Sequence, residues 1–144
     1  MKKPKILFIC VHNSGRSQIA EAYLKELAGE KYEVESAWLE PSDQINPLVV
    51  EVMKEEGIDI SGNKTQSVFE LFKTGRLYDH VITVCDSAAE AKCPVFAGIT
   101  KRWNWPFPDP AAVEGSGEEK LHEVRIIRNM IKKRLIDTIE GGFA

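Results

Sequence analysis

The sequence predicts a single α/β domain over residues 1–144, a central four-stranded parallel sheet flanked by helices in three layers. Two observations carry this reading. "KILFICV" (5–11) and "DHVITVC" (79–85) are near-continuous apolar runs, as expected of strands buried on both faces of a parallel sheet. Between and after the strand-like runs come stretches with helical periodicity, and strands alternating with helices give parallel sheets with right-handed crossovers. At 144 residues and 43% hydrophobic content, the chain suits one domain with a substantial core.

Each element follows from local chemistry. After the first strand, Ile19, Tyr23 and Leu27 recur at four-residue spacing beside Ala20 and Leu24, and Gly29 supplies a stop. "YEVESA" (32–37) alternates and reads as an edge strand. Pro47 opens a second helix through Leu48, Val49, Val52 and Met53 that ends at Gly57. A short helix is expected over 67–73. The strand 79–85 is followed by helix-prone "DSAAEAKC", stopped by Pro94. "ITKRWNW" (99–105) is the fourth strand, and Trp103 and Trp105 alternate along it as half-buried or core residues. A long C-terminal helix carries Leu121, Val124, Ile127, Ile131 and Leu135 on one stripe.

A net charge of −3 argues against nucleic acid as the main partner. No apolar stretch approaches the roughly 20 residues of a membrane span. The start "MKKPKILFICV" has only Ile6 to Val11 as its apolar part and no small-residue cleavage site after it, so a soluble cytoplasmic protein is expected. Three cysteines, Cys10, Cys85 and Cys93, make a poor structural disulfide framework. A lone cysteine is more often a buried inert thiol than a nucleophile.

Position argues otherwise here. In parallel α/β sheets, ligands bind beyond the carboxyl ends of the strands. Cys10 ends the first strand and Cys85 the third, so topology brings both thiols to one edge. "CVHNSGRS" (10–17) crosses from strand to helix, and the N–H groups of a loop curling into a helix N-terminus favour a tetrahedral oxyanion. Gly15 permits backbone conformations closed to other residues, and Asn13 tolerates a left-handed one. Arg16 adds a planar, permanently charged donor fork. The same field favours thiolate over thiol at Cys10. Ser17 either donates its hydroxyl to that sulfur or caps the helix. His12, taken alone, reads as an exposed loop residue.

The loop resembles the C-x5-R-S phosphate-binding loop of low-molecular-weight tyrosine phosphatases and of the thioredoxin-coupled arsenate reductases that share their fold. The resemblance continues through "SQIAEAYLKELAG", "VESA", "MKEEGIDIS", "VITVCDSAAEAKCP" and "FPDPA", spanning nearly the full chain. It implies a low-molecular-weight phosphatase-like fold and an oxyanion site made of Val11, His12, Asn13, Ser14, Gly15, Arg16 and Ser17. Cys10 is then the nucleophile. Asp109, in the stiff turn with Pro106, Pro108 and Pro110, matches the general acid that protonates a departing oxygen.

The remaining cysteines separate two chemistries. A phosphatase needs only Cys10, Arg16 and Asp109, whereas arsenate reduction also needs two electrons, which two thiols supply on becoming a disulfide. The resemblance implies an arseno adduct on Cys10, a Cys10–Cys85 disulfide as arsenite departs, then a Cys85–Cys93 disulfide recycled by thioredoxin, with no bound cofactor. It also implies a monomer that takes arsenate, with phosphate or sulfate as analogues. A phosphatase and a non-enzymatic arsenic-binding or redox-sensing thiol protein are the alternatives. Asp109 is followed by "PAAVEG" rather than the aromatic rim expected for a phosphotyrosyl peptide, which favours a small oxyanion.

Spacing adds a physical expectation. If residues 86–92 are helical, Cys85 and Cys93 stand about 12 Å apart along the axis, whereas a disulfide needs Cα atoms within roughly 7 Å. Oxidation therefore requires "DSAAEAK" to unwind or loop out. That segment is also one residue longer than in recognised relatives. Trp38 stands where the family pattern has glycine after "SA", which displaces or closes the adjacent loop. Some of these reductases hold potassium with side chains matching Asn13, Glu21 and Ser36. The completing carboxylate is replaced around Ser67, so no metal is expected. Asn13 and Ser36 then tie the loop to the second strand, and Glu21 is a solvated helix residue.

Overall fold

The computed structural model describes residues 3–10, 15–39, 45–63, 66–85 and 100–143. Four strands, β1 (Lys5–Cys10), β2 (Glu33–Trp38), β3 (His80–Thr83) and β4 (Lys101–Asn104), form one sheet in the order β2-β1-β3-β4. Every pairing is parallel. The helices are α1 (Arg16–Ala28), α2 (Pro47–Lys54), α3 (Val68–Lys73) and α4 (Gly117–Gly141), with a 3₁₀ turn at Pro110–Ala112.

Strand alternation sorts β1 onto two cores. Ile6, Phe8 and Cys10 face α1, α2 and α4, joining Ile19, Leu24, Val49 and Ile131 in the larger cluster. Leu7 and Ile9 face the other way, toward Val68 and Leu71 of α3. Three layers result, with β1 and β3 buried between them. All five β1 residues after Lys5 are fully buried, and each large one contributes about 1.5–3 kcal/mol relative to exposure.

Helix starts follow the sequence. Pro47 begins α2 behind Asn46, whose side chain accepts from the Leu48 N–H at 2.9 Å. Ser67 caps α3 through the Phe69 N–H. Ser116 and Glu119 form a reciprocal capping box at the head of α4. Val124, Ile127, Ile131 and Leu135 are buried as the stripe requires, and Leu121 is half-buried against the same core. Trp105 is buried and Trp103 half-buried.

Leu27 departs from the expected pattern. It is 44% exposed, whereas the buried face of α1 runs through Tyr23 and Leu24 to Ala28 in the last turn. The strand at 79–85 is regular only over His80–Thr83. Among the described residues, no helix is long and apolar enough to cross a membrane. The expectation for "DSAAEAK" lies outside the described residues.

Candidate active site

The connections reverse direction at β1 and β3, since β1 leads outward to β2 while β3 lies on its other side. A crevice opens beyond the carboxyl ends of strands at such a point. Cys10 is the last residue of β1 and is fully buried. The Val84 N–H donates to the Ile9 carbonyl at 2.9 Å, so the chain leaving β3 stays zipped to β1 up to the residue before Cys85. Cys85 is also fully buried. The two thiols belong to the ends of neighbouring strands.

At the head of α1, Gly15 has φ of +83°. A Cβ there would also approach Val49 Cγ2 to 2.9 Å, so both backbone conformation and packing call for glycine. Gly15 is the N-cap and offers no side-chain cap. Ser17, one residue inside the helix, instead places Oγ 3.0 Å from Cys10 Sγ. The indole Nε1 of Trp38 donates to that same Oγ at 2.8 Å. Ser17 and Trp38 are both fully buried.

Arg16 is 5% exposed. Its Nη1 donates to the Phe107 carbonyl at 2.7 Å, while its Nε is buried without a hydrogen-bond partner. Among the described residues no carboxylate pairs with this guanidinium, so its charge is held in place by a neutral acceptor. A buried cation with no carboxylate partner among the described residues, and with an N–H to spare, is suited to an anion. Phe107 precedes Asp109 by two residues, and the Arg16 bond therefore ties the loop carrying Asp109 to the head of α1. Asp109 Oδ1 accepts from the Ala111 N–H at 2.9 Å and caps the 3₁₀ turn.

Val11, His12, Asn13, Ser14 and Cys93 lie outside the described residues. One expectation for the neighbouring network changes, and the tie expected between Asn13 and Ser36 lies outside the described residues. Glu21 is not a solvated helix residue: one carboxylate oxygen accepts from Ser36 Oγ, and the other pairs with Lys25 Nζ at 2.7 Å. Ser36 therefore ties β2 to α1 through Glu21. Among the described residues, no group of three or more His, Cys, Asp or Glu is placed to hold a metal ion.

Asn104 was not marked by any motif. From the end of β4, its Nδ2 donates to Thr83 Oγ1 at 2.8 Å and to the Cys85 carbonyl at 3.0 Å. Its only sequence signal was a polar amide following Trp103 in a strand-like run.

The low-molecular-weight phosphotyrosine protein phosphatase family matches residues 5–140. An arsenate reductase of Bacillus subtilis is 39% identical over 142 residues, covering 99% of each chain. An arsenate reductase solved in its oxidized state superposes with a TM-score of 0.77 at 30% identity, covering 95% of this chain and 97% of that one. A thioredoxin-dependent arsenate reductase of Corynebacterium glutamicum superposes with a TM-score of 0.68 at 32% identity, covering 97% of this chain and 64% of that one. With β1, the strand-to-helix loop and the Asp109 turn all inside the matched span, the chain belongs to the low-molecular-weight phosphotyrosine protein phosphatase family, alongside its members named arsenate reductases.

Proposed function

We propose that this protein reduces arsenate to arsenite for arsenic detoxification, with electrons supplied by thioredoxin. The Cys10 thiolate attacks As(V) held by Arg16 and the N–H groups of residues 11–17, and Asp109 protonates the oxygen that leaves as water. The Cys85 thiolate then attacks Cys10 Sγ. A sulfur–sulfur bond forms, the sulfur–arsenic bond breaks, and its electron pair stays on arsenic, which departs as arsenite. Cys93 attacks Cys85 Sγ, releasing the Cys10 thiolate and leaving a Cys85–Cys93 disulfide for thioredoxin. Two electrons move from two thiols to one arsenic. The chain acts as a monomer in the cytoplasm, where thiols are kept reduced.

The observation that carries this reading is the buried Cys85, at the end of the strand hydrogen-bonded beside β1. Phosphate-ester hydrolysis has no use for a second thiol at that position. The test is NADPH consumption with arsenate, thioredoxin and thioredoxin reductase, for the wild type and Cys93→Ser. Steady turnover that stops in Cys93→Ser is the expected result. Aryl phosphate turnover without arsenate-dependent NADPH consumption would instead make the protein a phosphatase, and silence in both assays would make it a binding module.

A further inference from the structure

We infer that Trp38 is a positioning residue for this reaction: its indole N–H fixes the Ser17 hydroxyl as a donor to the Cys10 sulfur and so favours the thiolate. The inference rests on the reading of Cys10 as nucleophile.

The sheet register places the group. Cys10 and Trp38 are directly paired across β1 and β2, and paired residues of neighbouring strands direct their side chains to the same face. The backbone around Trp38 is held on both sides. Its own N–H donates to the Gln66 carbonyl at 2.8 Å, and the next N–H, of Leu39, donates to the Cys10 carbonyl at 3.0 Å. The indole is thereby aimed at the head of α1, where Nε1 meets Ser17 Oγ at 2.8 Å.

Hydrogen-bond chemistry then sets the direction. An indole N–H only donates, so Ser17 Oγ must accept from it. The hydroxyl retains one proton, and Cys10 Sγ lies 3.0 Å away. A thiolate has no proton and can only accept, giving an unbroken chain from N–H through O–H to sulfur in which each bond strengthens the next. A thiol donating to Ser17 would instead make Oγ a double acceptor and turn its own proton away from both partners. All three residues are fully buried, which keeps solvent from competing for the hydroxyl. Ser17 is also released from capping, because Gly15 occupies the N-cap.

The test follows iodoacetamide alkylation of Cys10 in the full-length reduced protein, read by mass spectrometry of the Cys10 peptide as a function of pH. In Trp38→Phe, which keeps an aromatic ring and removes the N–H, the profile should move to higher pH, with about 3- to 10-fold slower alkylation below its midpoint. The plateau rate at high pH should be unchanged. Ser17→Ala should shift the profile further, and adding Trp38→Phe to it should produce no additional shift. Superimposed profiles for wild type and Trp38→Phe, or an equal shift in the Ser17→Ala background, overturn the inference. An independent measurement uses the wild type alone: the Trp38 indole N–H resonance should titrate at the midpoint of Cys10 alkylation, and a resonance insensitive to that ionisation overturns it. Cys10→Ser separates the two levels. Arsenate turnover retained in that variant overturns the nucleophile reading and the inference with it, whereas lost turnover beside an unmoved Trp38→Phe profile overturns the Trp38 inference alone.

Discussion

Arg16 Nη1 and the Phe107 carbonyl oxygen lie 2.7 Å apart, joining the first turn of α1 to a loop 91 residues later in the chain. This bond spends one guanidinium N–H on orientation, and a carbonyl acceptor brings no negative charge of its own. Lysine has the charge but only a point-like ammonium, which cannot hold the carbonyl and present a planar fork at once. Arg16→Lys is therefore expected to lower kcat/KM for arsenate by about 10²-fold or more, the scale of losing a preorganised oxyanion donor. Steady-state kinetics in the thioredoxin-coupled assay checks this, and a variant within about threefold of wild type would refute it.

Asn104 anchors the other side of the crevice. By holding the Cys85 carbonyl to β4, it fixes the backbone from which, in the proposed relay, the Cys85 thiol reaches Cys10. Asn104→Ala should slow formation of the first disulfide in a single arsenate turnover by about fivefold, the weight of one hydrogen bond. Hydrolysis of an aryl phosphate, which bypasses Cys85, should stay within about twofold. Rapid-quench thiol counting separates the steps; equal slowing of both reactions would mean general loosening of the sheet.

These two contacts mark where the sequence stops being legible. β1 and β3 were readable because strands buried on both faces need apolar residues at every position, and Cys10, Gly15 and Arg16 because one short loop carries them all. The Ser116–Glu119 capping box was equally local. Arg16 with Phe107, Asn104 with Cys85 and Trp38 with Ser17 are tertiary pairs, and nothing in the flanking residues announces such partners. Leu27 shows the converse. Its spacing from Tyr23 fits a core stripe, but in the last turn of α1 it is Ala28 that is buried while Leu27 is exposed, and periodicity alone cannot report which residue of a terminal turn meets a neighbour. Glu21 looked solvated because its partner Ser36 comes from another element.

Two adjacent carboxylates fasten α2 to α4. Glu55 accepts from Arg125 and Arg128, and Glu56 from Lys132 and Tyr23. The Arg125 hydrogen bond first, and Arg128 after it, hold Glu55 below the ordinary carboxylate range; Lys132, then Tyr23, do the same for Glu56. A depressed folded-state pKa means stabilisation that is present above the unfolded value, near 4.5, and lost as pH falls through the folded one. Urea midpoints of wild type should thus exceed those of Glu55→Gln/Glu56→Gln at pH 7 and converge with them by about pH 3. A gap that persists undiminished at acid pH would assign the difference to packing.

His80 gives the opposite end of the sheet its own pH response. At 8% exposure, its Nδ1 accepts from Trp103 Nε1 at 3.1 Å, and the Phe143 ring lies 5.3 Å away. Accepting at Nδ1 requires a neutral imidazole with its proton on Nε2. Burial lowers the His80 pKa from its ordinary 6.5; neighbouring Asp79 opposes this and Lys101 adds to it. The unfolded chain therefore binds the proton at higher pH than the folded one, so this stabilisation is present above about 6.5 and is lost as pH falls through the lower folded value. Acidification from pH 7.5 toward 5 should reduce the urea midpoint, and His80→Asn, whose amide oxygen still accepts from Trp103 but does not titrate, should flatten that slope. Proton NMR of the imidazole gives the direct check. A His80 midpoint at or above 6.5 in the folded protein would contradict the assignment, because a charged ring has no lone pair to offer the Trp103 N–H.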